Sequence, residues 1–113
     1  MILACRSLAR GNDAAEKIRQ STGFQNIEVL QLDLACQENI RNFSQNLLEK
    51  YPNIDCLVCN AGVWHPMNQE MKTEDNLEIH VGVNHLGHFL LTNLLIGNVK
   101  RVGTVLTYIR TYQ

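Results

Sequence analysis

Ile54-Asp55-Cys56-Leu57-Val58-Cys59-Asn60-Ala61-Gly62 is the stretch that decides the fold. Residues 54–59 form a short apolar run, read as a buried-type strand, and Asn60-Ala61-Gly62 is a small-residue turn at its carboxyl end. Upstream, residues 37–50 place Ile40, Phe43, Leu47 and Leu48 at helical spacing, and Pro52 marks the stop. Downstream, residues 60–72 read as a loop containing Gly62 and Pro66. A long helix is predicted over 73–98.

Farther out the same alternation holds. Residues 27–32 (I-E-V-L-Q-L) alternate as a strand, and residues 13–20 carry Ala14, Ala15 and Ile18 on one helical face that ends before Gly23. Residues 2–5 read as a strand stub, and 101–108 (R-V-G-T-V-L-T-Y) as a last β-rich run. Strands separated by helices imply right-handed β-α-β crossovers and a parallel sheet, so the expected class is α/β, doubly wound and Rossmann-like. Ligands of such sheets bind beyond the carboxyl ends of the strands. Attention therefore goes to Arg6, Asp33 and Asn60.

A chain of 113 residues is enough for one domain. Its 45% hydrophobic content and net charge of -1 are ordinary for a folded domain and give no electrostatic case for nucleic acid. Cys56 and Cys59 have C-x2-C spacing, but on a strand two residues three apart face opposite ways. Free buried thiols in a reducing compartment are expected rather than a zinc or redox pair. No targeting segment and no membrane-length apolar run is visible, which points to an intracellular setting, cytoplasmic or endoplasmic-reticulum-associated.

Arg6 directly follows the first strand, with no carboxylate until Asp13. An arginine there can accept the 2'-phosphate of NADP; the other reading is a plain surface arginine. Asp33 ends the second strand, where it can accept from an adenine amino group or cap the next helix. In the turn of Asn60, Ala61 and Gly62, small residues let a backbone come close to a ligand.

Within the predicted long helix, Leu77, Val81, Asn84, His88, Leu91 and Leu95 step by four and three residues, which defines one stripe. Asn84 and His88 therefore sit on an otherwise apolar face, where a buried amide needs a partner. Gly82 and Gly87 weaken the helix around Asn84 and suggest a distorted turn. His85 and His88 share a face at i, i+3, but no carboxylate joins them at ligand spacing. Core histidines are expected there and no metal site.

Ile2-Leu3-Ala4-Cys5-Arg6, Leu32-Asp33-Leu34-Ala35, Cys59-Asn60-Ala61-Gly62-Val63 and Val83-Asn84-His85-Leu86-Gly87-His88-Phe89-Leu90-Leu91-Thr92 occur in that order. Together they resemble the classical short-chain dehydrogenases, in particular the retinol dehydrogenase group, with WW-domain oxidoreductases next. The resemblance implies NADP(H) as cofactor and a small-molecule alcohol or carbonyl, retinol/retinal-like or otherwise apolar, as substrate. It makes Asn84 the asparagine of the catalytic tetrad, whose distorted helix holds a proton-relay water. It makes Arg6, Asp33, Leu34, Asn60, Ala61 and Gly62 cofactor-binding positions.

Three parts of the family pattern have no counterpart. The glycine-rich phosphate loop and first strand are missing, no serine occurs after Ser44, and Tyr108 is followed four residues on by Tyr112 rather than lysine. Thr104 or Thr107 approximates the place of the serine. The expectation is a partial doubly wound dinucleotide-binding domain over 1–113, with residues 97–113 as a tail where the resemblance fades. Such a fragment is expected to be inactive by itself. Membrane association and homo-oligomerisation of a full-length parent stay open. The alternative is a non-catalytic remnant that binds a partner or nucleotide through the 73–98 helix.

Overall fold

The computed structural model describes residues 1–66 and 70–99 and the backbone of 105–107. It divides into two compact units, Met1–Asp33 and Leu34–Gln113.

The first unit is one β-α-β turn. Strands β1 (Ile2–Cys5) and β2 (Glu28–Gln31) pair in parallel, Ile2 opposite Glu28 through Cys5 opposite Gln31. Helix α1 (Leu8–Thr22) connects them and starts well before the predicted residue 13. Gly11 and Asn12 are poor helix formers, which argues for a late start. Packing and capping override that preference. Ser7 Oγ accepts from the Arg10 N–H, and any Cβ on Gly11 would run into Cys5 Sγ and Val29. The helix can lie this close to the strands only because residue 11 has no side chain. Ala15, Ile27 and Leu32 are the buried apolar residues of this unit.

The second unit opens with α2 (Gln37–Lys50), which has the predicted bounds and buries Ile40, Phe43, Ser44 and Leu47. Its N-cap is Cys36, whose sulfur accepts from the Asn39 N–H, while Asp75 Oδ2 accepts from the Gln37 N–H at 2.9 Å. Asp33 is therefore not the cap, and that reading of it falls away. The Cys36 thiol donates a hydrogen bond to the Glu74 carboxylate, which pushes the thiol pKa up.

Strand β3 (Leu57–Cys59) pairs in parallel with β4 (Val105–Thr107). It is shorter than residues 54–59, because Ile54 makes only an isolated bridge to Val99. Cys56 consequently lies outside the strand and is exposed, whereas Cys59 is buried; the expectation that all the thiols are buried is corrected on this point. Cys5, Cys36 and Cys59 are free thiols.

The predicted helix over 73–98 is broken. It comprises α3 (Ile79–Val81), a π-helical segment (Gly82–Gly87), α4 (His88–Leu95) and a 3-10 turn (Ile96–Asn98). Residues 73–78 form a tight reversal instead. Thr73 and Leu77 bond through Thr73 N–H to Leu77 O at 2.9 Å, Asn76 takes φ 61°, and Lys72 bridges Glu78 in antiparallel fashion. Asparagine tolerates that left-handed conformation better than most residues.

The π segment also corrects the apolar stripe. Ile79, Val83, His88, Leu91 and Leu95 are buried, while Val81 is 50% exposed. The step from Val83 to His88 is five residues, the extra residue that a π turn accommodates. His85 is exposed and His88 buried, so the two do not share a face. α4 packs on α2. Among the described residues no helix is long and apolar enough to cross a membrane.

Candidate functional site

The turn after β3 is exposed at Asn60, Ala61 and Gly62, and it is held by side chains. Among the described residues, the backbone–backbone hydrogen bonds outside regular elements include none from residues 60–66. Three side chains from the facing helix supply the bonds instead. His88 Nε2 lies 2.7 Å from the Ala61 carbonyl. Asn84 Oδ1 accepts from the Val63 N–H at 2.7 Å, and Asn84 Nδ2 donates to the Val63 carbonyl at 2.9 Å. His80 Nε2 accepts from the His65 N–H at 3.0 Å.

The spacing explains why these contacts coexist. Residues 80, 84 and 88 rise by about 6 Å per step at roughly 1.5 Å per helical residue. Alternate residues of an extended chain advance by about 6.6 Å. The two repeats nearly match, so positions 88, 84 and 80 meet 61, 63 and 65 in antiparallel order. A ladder of side-chain rungs stands where a sheet would have backbone rungs.

Each rung has a defined chemistry. The Asn84 amide, half-buried rather than buried as the apolar stripe implied, uses its oxygen and one of its two N–H groups on one residue. Ala61 O can only accept, so His88 Nε2 carries the proton; its Nδ1 is buried without a hydrogen-bond partner. His80 is the opposite tautomer. Its Nδ1–H donates to Glu78 Oε1 at 2.6 Å, leaving Nε2 to accept. Glu78 also caps α3, accepting from the Val81 N–H at 2.9 Å and the His80 N–H at 3.1 Å. These bonds, that of Val81 foremost, hold the Glu78 pKa down at about 2.

Gly82 and Gly87 bracket the π segment at points of close approach. A Cβ on Gly82 would strike Thr73 Cγ2, and one on Gly87 would sit 2.6 Å from the Leu34 carbonyl oxygen. Gly62 lies against Asn84 less tightly, its hypothetical Cβ 3.4 Å from Oδ1.

The sequence-predicted positions fall in both units. Arg6 is exposed at the end of β1, and Asp33, half-buried, follows β2 in the first unit. Leu34, Asn60, Ala61, Gly62 and Asn84 belong to the second, where Asn84 and the 60–62 turn are brought together. Leu34 is 8% exposed, and both its carbonyl oxygen and its Cβ lie against Gly87. The side chain of Thr107, and Thr104, Tyr108 and Tyr112 altogether, lie outside the described residues, as does most of 97–113. His80 and His88 were missed as rungs. The available signal was the 80–84–88 spacing of polar side chains opposite a short loop.

The short chain dehydrogenase family model matches residues 1–108. The chain belongs to the short-chain dehydrogenases. This one is 46% identical over 112 residues to mouse (Mus musculus) retinol dehydrogenase 14, covering 88% of this chain and 32% of the mouse protein. It is 43% identical over 101 residues to the chloroplastic protochlorophyllide reductase of Chlamydomonas reinhardtii, covering 88% of this chain and 25% of the algal one. Among solved structures it resembles an alcohol dehydrogenase from Thermococcus sibiricus complexed with 5-hydroxy-NADP. That likeness has a TM-score of 0.68 and 26% identity, over 92% of this chain and 45% of the other. This short-chain dehydrogenase chain thus spans a quarter to a third of the curated relatives it matches. The partial Rossmann-like α/β fold expected from sequence agrees with these neighbours.

Proposed function

We propose that this chain forms part of an NADP(H)-dependent oxidoreductase that interconverts an alcohol and a carbonyl on an apolar, retinol/retinal-like molecule. The observation that carries the reading is the Asn84 amide paired with the Val63 backbone, from inside a π segment, beside the exposed Asn60-Ala61-Gly62 turn. The turn fits a dinucleotide: it is exposed, it presents no side chain larger than a methyl at 61 and 62, and it is braced from behind.

In this reading NADP(H) supplies or accepts the hydride. From the sequence resemblance, Arg6 is the residue proposed for the 2'-phosphate and Asp33 for the adenine amino group in the first unit, and Leu34 and 60–62 are the cofactor-binding positions proposed in the second. Asn84 positions the turn. A proton-relay water would be held by backbone of the Gly82–Gly87 segment, where the hydrogen-bond pattern departs from the α-helix. The retinol dehydrogenase relative supports the apolar substrate, and the NADP analogue in the structural neighbour supports the cofactor.

The test is an assay of the purified protein encoded by the complete reading frame, with retinal and a short-chain aldehyde, each with NADPH and NADH. Retinal reduction with NADPH well above the other three combinations is expected. Preference for NADH, or for the short aldehyde, would remove the corresponding half of the proposal.

A further inference from the structure

We infer that His88 is a positioning residue, which fixes the Ala61–Gly62 peptide of the turn from behind in the Nε2–H tautomer. The inference rests on reading that turn as part of the cofactor site. It starts from an anomaly of placement. His88 occupies a position on the buried face where Leu91 and Leu95 follow, is 7% exposed, and leaves Nδ1 without a partner. A leucine or phenylalanine would fill such a position without stranding a polar atom, so packing alone does not account for an imidazole here. What the imidazole adds is one N–H, aimed at 2.7 Å at the Ala61 carbonyl.

That carbonyl matters because it belongs to the peptide joining Ala61 to Gly62, the two smallest residues of the exposed turn. Asn84 grips the chain two residues later, at Val63. One bond at Ala61 and two at Val63 pin the orientations of the peptide planes between them, a segment with no backbone ladder of its own. Removing His88 frees the first clamp while leaving the second intact. The effect therefore reaches the Val63 amide without touching its own partner, which a merely space-filling residue would not do.

The experiment compares the wild-type protein with His88→Leu and His88→Gln. Glutamine keeps an N–H at similar reach, and leucine keeps the apolar volume. Nitrogen-detected histidine NMR of the wild type should show His88 protonated at Nε2 alone. In His88→Leu the Asn84–Val63 bonds remain, but the turn should open more easily by about the worth of the lost His88–Ala61 bond, so hydrogen-exchange protection of the Val63 amide should fall roughly tenfold. The Leu91 and Leu95 amides should keep theirs, and NADPH binding should weaken. His88→Gln should recover both readouts. Proton placement on Nδ1, an unchanged Val63 amide, or an equal loss of protection throughout α4 would each overturn the inference. NADPH binding by the wild type judges the cofactor reading separately, since the Val63 amide reports whether or not cofactor is present.

Discussion

Asn84 and Glu78 show how much a single polar side chain does for the backbone it bonds to. Asn84→Ala leaves both the N–H and the C=O of Val63 without their partner. With a net worth of about 0.5–1.5 kcal/mol for each hydrogen bond, the variant should lose about 1–3 kcal/mol of stability, measurable by urea unfolding. If the proposed cofactor site is right, turnover should fall further than that, because the turn proposed to lie beside the cofactor moves. Normal turnover in the folded variant would make Asn84 a structural amide only. Glu78 gives a pH signature. Its pKa in the folded protein is held at about 2, below the ordinary value of 4.5, so the unfolded chain binds the extra proton between those values. Stability from this cap is therefore complete above about pH 4.5 and is lost as pH falls toward 2. Comparing unfolding midpoints of the wild type and Glu78→Gln should show a difference that shrinks across that window. A difference independent of pH would mean that the carboxylate's charge contributes nothing.

At the scale of elements, helix α2 was legible to the residue because its apolar period, its Pro52 stop and its packing agree. The 73–98 helix was legible only as a tendency. Nothing in a four-three periodicity reveals an inserted π turn, since the extra residue moves the buried face from Val81 to Ile79 and Val83 while conserving the apolar composition. Gly82 and Gly87 were the better clue, although they signal contact more than weakness: each lies where another chain segment would meet a Cβ. The ladder was illegible for a different reason. Which loop residue faces which rung depends on tertiary register, and spacing alone left His88 a core histidine. These contacts predict unequal effects of the same substitution. Gly87→Ala should cost about 1–3 kcal/mol, because the Leu34 carbonyl at 2.6 Å is backbone and cannot swing aside. Gly97, in the 3-10 turn, has nothing within 4 Å of its hypothetical Cβ, so Gly97→Ala should be neutral or slightly stabilising. Denaturant midpoints of the two variants decide the matter, and equal losses would mean that the close approach at Gly87 is relieved at little cost.

On the whole-molecule scale, the two units differ in how much core they possess. The first has Ala15, Ile27 and Leu32 as its buried apolar residues within 33 residues, a size at which a chain rarely sustains a fold unaided. Its amides should exchange more freely than those of α2 and α4, whose residues Ile40 and Leu95 are almost wholly inaccessible. Yet Arg6 and Asp33, two of the proposed cofactor positions, follow the strands of this weaker unit. A ligand that binds only the folded form stabilises it by mass action, by about 1.4 kcal/mol at tenfold excess over its Kd, equivalent to roughly tenfold slower exchange. NADPH should therefore slow exchange in β1 and β2 by about that factor when so added. NADH at the same concentration should do less, since it offers Arg6 no 2'-phosphate. Arg6→Ala should bring the NADPH response down to the NADH level, with the NADH response itself nearly unchanged. Hydrogen exchange read by mass spectrometry on peptides covering residues 1–33 measures all three. If the two cofactors protected these strands equally in the wild type, Arg6 would be a surface arginine and the NADP preference would need another origin.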